Sequence, residues 1–343
     1  MSGPRIRRAA GARMAWLRQV AAKGVLALLA LCMGTSALAA DVAPRVFRVG
    51  YLSINRPIVG WSSGLIYAEM ARLGYVEGRN IVFEVRHAGG DPVRLPEAAA
   101  ELVKLKVDVI YASTIPAAMA AKVATAEIPI VGWALHGAVQ SGLVSSLRRP
   151  GGNITGVESL APEIDPKRIQ LLKLIVPGLD RLAVIFDPAD HGTPAHLKSI
   201  ADAQQSLGLT TSNLPVSKAT QFDSVFAAAS GKNLGAVLTL TGNLTALAWP
   251  RIHDFTMAQR LPTLCEFRFM AQAGCLLSYG PTLDEMTKRT AAQIDKILRG
   301  AAPGDLPVEQ PTRIELVINL KTARALGLTV PQELLLRADD VIE

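Results

Sequence analysis

Val107-Asp108-Val109-Ile110-Tyr111-Ala112, then Ser113-Thr114-Ile115, then Pro116-Ala117-Ala118-Met119-Ala120-Ala121-Lys122, is the stretch whose reading decides the fold. A short run rich in valine, isoleucine and tyrosine breaks off at two hydroxyl residues, and an alanine-rich segment follows. β-Branched and aromatic side chains suit a pleated strand. Proline is tolerated in the first turn of a helix, where the N–H it lacks has no intrahelical acceptor. The pattern predicts a strand that feeds a helix, with free backbone N–H groups at the carboxyl end of the strand. With Ser113 and Thr114 beside them, those groups make a small pocket for an anion or a carbonyl. The same residues also fit a plain turn between a strand and a helix. Repetition of the device along the chain favours the pocket.

Outward from this stretch, Phe47–Leu52 reads as a strand ending at Ser53-Ile54-Asn55, and a helix spans about 60–73. Ile81–Arg86 reads as a strand, and Asp91–Lys106 as a helix that lines up Leu95, Ala98, Ala99, Leu102 and Leu105 on one face. Ile128–Trp133 is the next strand, followed by Leu135-His136-Gly137. Arg149-Pro150-Gly151-Gly152-Asn153 is dense in turn residues and marks a crossing out of this part of the chain. A second set opens at Asp165, placed as a helix N-cap ahead of Pro166. Leu182–Phe186 is a strand ending at Asp187-Pro188-Ala189-Asp190, and a helix covers about 194–207. Gly235–Leu240 is a strand ending at Thr241-Gly242-Asn243, with one helix to about Arg260, and Pro262–Glu266 is another strand.

This alternation predicts an α/β fold of two lobes, each with a parallel sheet covered on both faces. Residues 45–157 and 158–279 form the lobes. Part of 280–303 is expected to complete the first, and part of 304–343 the second. Ligands of such sheets bind outside the carboxyl ends of the strands, so two hinged lobes facing each other enclose a cleft.

Residues 1–39 read differently. Arg5, Arg7, Arg8, Arg13, Arg18 and Lys23 precede the apolar run Val25–Leu31, and Ala37-Leu38-Ala39 is a small-x-small cleavage site. This is the layout of a secretory signal peptide, and the apolar run is short for a membrane span. Leu31 is bulky where a lipid-attachment site at Cys32 needs a small residue, so export without a lipid is expected. Without that segment the formal charge falls from +7 to about +1. The mature chain then lacks the basic excess that a nucleic-acid partner requires. Cys265 and Cys275 remain, and in an oxidising compartment either a bridge or two buried thiols fit them.

Catalytic signatures are missing. The five histidines, His87, His136, His191, His196 and His253, show no metal-ligand spacing and read as surface or capping residues. There is no Gly-x-Ser-x-Gly elbow, phosphate loop or dinucleotide fingerprint. The expectation is a binding protein with no cofactor, no metal and no enzymatic activity.

The mature chain resembles the periplasmic substrate-binding components of ABC importers of the tryptophan/tyrosine-binding-like family. The resemblance is carried by Leu73-Gly74-Tyr75-Val76-Glu77-Gly78-Arg79-Asn80-Ile81, Arg149-Pro150-Gly151-Gly152-Asn153-Ile154-Thr155-Gly156, Leu277-Ser278-Tyr279-Gly280-Pro281, Asp305–Pro311 and Leu316–Ala323. It implies two Rossmann-like lobes of the type I periplasmic binding-protein kind, a periplasmic location, and docking onto an ABC permease in the inner membrane. The expected partner set is a small-molecule ligand and that permease, with the protein itself a monomer. A sensing partner of a membrane receptor fits the same features, as does, less well, an exported α/β enzyme. Similar sequences carry Asp-Pro-Val where this chain has His136-Gly137-Ala138-Val139. Either an acidic contact to the ligand is lost there, favouring a flat or anionic ligand over an unmodified amino acid, or the loop only shapes the hinge. From the strand ends, the expected ligand-binding residues are Ser53, Ser113, Thr114, Trp133 and His136 on one wall. Asp187, Asn243, Glu266 and Tyr279 are expected on the other.

Overall fold

The computed structural model describes residues 45–56, 62–160 and 162–343. The stretch expected to be a signal peptide, its expected cleavage site and Cys32 lie outside the described residues. Val46–Glu343 form one compact unit, and within it the strands fall into two sheets.

The first sheet has five strands in the order β2-β1-β3-β4-β5, all parallel. They are β1 (Phe47–Ser53), β2 (Ile81–His87), β3 (Val109–Ala112), β4 (Ile130–Gly132) and β5 (Ile154–Gly156). Helices α1 (Ser62–Arg72), α2 (Leu95–Lys104) and α3 (Ile115–Ala124) connect them. Each sheet face has its own apolar cluster. Leu52, Ile110 and Ile130 pack with Leu102 and Ala118 on one side, and Val49, Tyr111 and Val131 pack with Ile66 and Met70 on the other.

The second lobe begins with α4 (Asp165–Ile175), β6 (Arg181–Phe186), α5 (Thr193–Leu207), β7 (Thr210–Pro215) and α6 (Phe222–Ser230). It continues with β8 (Ala236–Thr239), α7 (Asn243–Leu247), α8 (Trp249–Ala258), β9 (Thr263–Cys265), α9 (Arg268–Gln272) and β10 (Leu277–Pro281). The single helix expected to run to about Arg260 is two helices. The break falls at Ala248, because Pro250 has no N–H to continue the first ladder and suits the first turn of a new helix. Cys265 and Cys275 are disulfide-bonded. The bond joins the end of β9 to the segment that enters β10.

After β10 the chain leaves this sheet. Helix α10 (Leu283–Leu298) lays Ala291, Ile294, Ile297 and Leu298 on the first lobe's cluster with Val49 and Tyr111. The Tyr75 hydroxyl donates to Asp295 Oδ1 at 2.8 Å, and Thr155 Oγ1 donates to the Leu306 carbonyl at 2.8 Å. The chain then returns for β11 (Ile314–Asn319), α11 (Leu320–Leu326), α12 (Gln332–Arg337) and β12 (Asp340–Ile342). The second sheet therefore has seven strands, ordered β12-β11-β10-β9-β8-β6-β7. The sequence reading expected a wholly parallel sheet, and this is corrected: β11 runs antiparallel to β10. A strand that re-enters from the other lobe, instead of over a local crossover helix, is free of the parallel constraint.

Three segments cross between the sheets: from β5 to α4, from β10 to α10, and from the end of α10's loop to β11. The first and third run side by side, with Glu309 N donating to the Gly156 carbonyl at 2.9 Å and Glu158 N donating to the Glu309 carbonyl at 2.8 Å.

Candidate functional site

The carboxyl ends of β1, β3 and β4 face those of β6, β8 and β9 across a cleft of about 1190 Å³, counted out to its open mouth. On the first lobe, Thr114 has extended backbone and caps α3, its Oγ1 accepting from Ala117 N at 3.3 Å. Ser113 N is taken by the Leu52 carbonyl, while its hydroxyl has no partner among the described residues. Ser53 Oγ donates to the Asn55 carbonyl at 2.6 Å, which holds the turn after β1. Trp133 leaves β4 just before Ala134, whose φ of 55° is a left-handed conformation that costs a non-glycine residue on the order of 1–3 kcal/mol. That reversal buries Leu135 and sends His136 toward the other lobe. The Trp133 Nε1–H lines the cleft, buried and without an acceptor among the described residues.

His136 is the main bridge between the lobes. Its Nδ1 lies 3.3 Å from Ser159 Oγ, and its Nε2 lies 3.5 Å from Asp190 Oδ1 on the loop after β6. The ring meets that of His196 edge-on at 6.0 Å. Behind it, His196 Nδ1 is 2.7 Å from Asp165 Oδ2, and Asp165 Oδ1 accepts from Arg168 Nη1. A second bridge runs from Asn55 Nδ2 to Asn243 Oδ1 at 2.6 Å. The lobes are thus held shut.

Burial opposes the charge on His136, but the carboxylate of Asp190 close to Nε2, with Glu266 and Glu158 beyond, outweighs it and raises its pKa. Burial likewise opposes ionisation of Asp190, and His136 outweighs it, so that the carboxyl is held below its ordinary value. A raised histidine stabilises fully below its unfolded value of 6.5 and loses the contribution as pH rises through the folded value. A depressed aspartate stabilises above 3.8 and loses the contribution as pH falls. The pair is therefore at full strength between these two values. The melting-temperature gap between the protein and His136→Gln should be widest between the two ordinary values of 3.8 and 6.5 and shrink as pH rises above 6.5 through the raised folded value. A gap that is flat across that range would mean His136 is not held as a cation.

Ser53, Ser113, Thr114, Trp133, His136, Asn243 and Glu266 all line the cleft. Asp187 and Tyr279 do not, and the expectation for them is corrected. Asp187 folds back into its own turn, with Oδ1 accepting from Ala189 N at 2.9 Å. Asp190, three residues on, faces the cleft in its place. Tyr279 alternates with Ser278 and Gly280 along β10, so its ring joins the cluster of Leu277, Leu316 and Ile318 on the covered face of the sheet. Its carbonyl accepts from Arg168 Nε at 2.7 Å. Two further expectations fail. Asp165 is not a cap but a fully buried carboxylate, and His196 is a buried residue instead of a surface or capping one. Residues that sequence reading passed over include Asn55, Phe267 and Phe269, the last two stacked at 6.0 Å. Their signal was available, since Phe267-Arg268-Phe269 directly follows a strand end. Among the described residues, no group of three His, Cys, Asp or Glu is placed to hold a metal ion.

The sequence matches the family model for ABC transporter substrate binding proteins over residues 60–342. The chain belongs to this family. Its proteins are substrate-binding proteins, not enzymes. A tyrosine-binding protein of Clostridioides difficile (strain R20291) is 27% identical over 255 residues, covering 74% of this chain and 73% of that protein. The fold superposes on an ABC domain from Streptococcus pneumonia in complex with L-Trp, with a TM-score of 0.80 at 23% identity, covering 87% of this chain and 100% of that one. It also superposes on a solute-binding protein of R. palustris in complex with benzoate, with a TM-score of 0.51 at 15% identity, covering 68% of each chain. The family has the two-lobe α/β architecture found here.

Proposed function

We propose that this protein is exported to the periplasm, captures a small aromatic solute between its lobes as a monomer, and delivers it to an ABC permease in the inner membrane. The observation that carries the ligand class is the composition of the cleft. Trp133, Tyr51, Phe267 and Phe269 supply aromatic walls, while polar groups come in from both lobes. The tyrosine- and tryptophan-binding relatives and the benzoate-binding neighbour support an aromatic body and leave its charge open. On the first lobe, the Ser113 hydroxyl and the start of α3 suit a carboxylate or carbonyl end. Export rests on residues 1–39, and the permease on the family.

A thermal-shift screen of the mature protein against aromatic amino acids, aromatic acids and non-aromatic controls tests this reading. A ligand at a hundredfold excess over its Kd stabilises the native state by about 2.7 kcal/mol. Aromatic compounds are expected to give the largest shifts. Stabilisation by aliphatic compounds alone would overturn the aromatic reading.

A further inference from the structure

His136 belongs to the first lobe and Asp190 to the second, so their approach to 3.5 Å exists only while the lobes are together. The other neighbours of the ring divide between the two sides. Ser159 Oγ, 3.3 Å from Nδ1, lies on the crossing after β5. Glu158 lies there too, and its carboxylate accepts from Gly137 N at 3.3 Å, so it travels with the loop that carries His136. Asp190 faces the ring from the loop after β6, with Asp187 earlier on that loop, and Glu266 faces it from the end of β9. His196 meets it edge-on from α5, with Asp165 and Arg168 behind. This second group stays with the second lobe when the cleft opens.

His136 Nε2 is buried and has no hydrogen-bond partner among the described residues. Asp190 Oδ1, the atom nearest to it in the ion pair, is held in place by Gly192 N at 2.8 Å. A neutral ring therefore makes no bond across the lobes, whereas an imidazolium meets a counter-charge in a site shielded from water. Burial on closing opposes the proton, and Asp190 outweighs burial, so His136 holds its proton more tightly in the closed form. Linkage is reciprocal: if closure strengthens proton binding, proton binding strengthens closure. The closed form has the full benefit below the ordinary histidine value of 6.5 and loses it as pH rises through the raised value. Asp190 sets the acid limit, since its contribution is lost as pH falls below 3.8.

We propose that His136 and Asp190 form a proton-operated latch: protonation of His136 favours the closed lobes, so the protein captures its solute more tightly in mildly acidic than in alkaline surroundings. Apparent affinity follows, because it scales with the fraction of the protein able to close. The inference takes the hinged, solute-capturing cleft from the reading above and makes no use of the ligand's identity.

The test follows closure directly, with no solute added, by energy transfer between two dyes, one on an exposed site of each lobe. The closed-to-open ratio is measured for the mature protein, His136→Gln and Asp190→Asn, at about pH 5 and at steps above 6.5. In the unmodified protein the ratio should be largest between 3.8 and 6.5 and fall as pH rises further, by up to about tenfold per pH unit, the limit for one linked proton. Both variants should lose most of that slope, since one lacks the proton and the other its counter-charge. They break the latch from opposite lobes, so the result does not hang on the folding of either one. A ratio in the unmodified protein that is level with pH, or rises with it, overturns the proposal. A slope that survives in either variant overturns it too, because another group is then the sensor. Since no solute takes part, failure here leaves the aromatic reading standing, and the thermal-shift screen decides that reading separately.

Discussion

Asp165→Ala should destabilise the protein by about 3–5 kcal/mol, the usual cost of removing one partner from a buried ion pair. Asp165 is fully buried, and Arg168 and His196 are nearly so. The carboxylate is the counter-charge of the Arg168 guanidinium and the acceptor for His196 Nδ1. Without it, Arg168 keeps only the Tyr279 carbonyl, and a cation stays buried with no anion beside it. Arg168 and Asp165 are on α4, His196 on α5 and Tyr279 on β10, so the damage should spread through the second lobe. Asp165→Asn should cost less, because an amide oxygen can still accept from one of the two neighbours. Denaturant unfolding of both variants measures the difference. A loss below about 1 kcal/mol for Asp165→Ala would show that the network adds little beyond packing.

That network was not legible in the sequence, for a definite reason. Asp165-Pro166 is a helix-start signal whether the carboxylate caps the helix or turns inward, and the partner that decides is 31 residues away. What was legible is local. The entry to α3 follows from Ser113, Thr114 and Pro116, and the lobes follow from repeated strand-to-helix turns. β7 was missed because Thr210-Thr211-Ser212-Asn213-Leu214-Pro215 has almost no apolar residues to read. It is an edge strand paired only with β6, so polar side chains are tolerated there. The site shows the same division. Strand ends marked most of the lining residues, but the choice between Asp187 and Asp190 hangs on one turn hydrogen bond, and Tyr279 on strand alternation. The role of His136 needed the second lobe in place.

Gly192→Ala should weaken ligand binding by about 10- to 100-fold, with a loss of stability in the unliganded protein no larger than that of His136→Gln. Gly192 has a φ of −81°, a conformation open to any residue, so backbone freedom does not explain the glycine. Space does. A Cβ there would stand 1.8 Å from His136 Nε2 and 2.0 Å from Cδ2, well inside contact distance. In the closed form the ring must swing away, leaving Asp190 without its partner on the other lobe. The three nearest atoms to that Cβ all belong to the His136 ring, so the substitution acts through the seat of this ring. A tenfold loss corresponds to about 1.4 kcal/mol taken from the closed state, because apparent affinity scales with the fraction able to close. The double variant His136→Ala, Gly192→Ala separates this from an indirect effect. Removing the ring removes the clash, so the second change should cost almost nothing once the first is made, and the two should be strongly non-additive. Small-angle scattering with ligand should show a larger radius of gyration for Gly192→Ala than for the unmodified protein. If Gly192→Ala binds within twofold of the unmodified protein, His136 does not seat against the second lobe in the bound state.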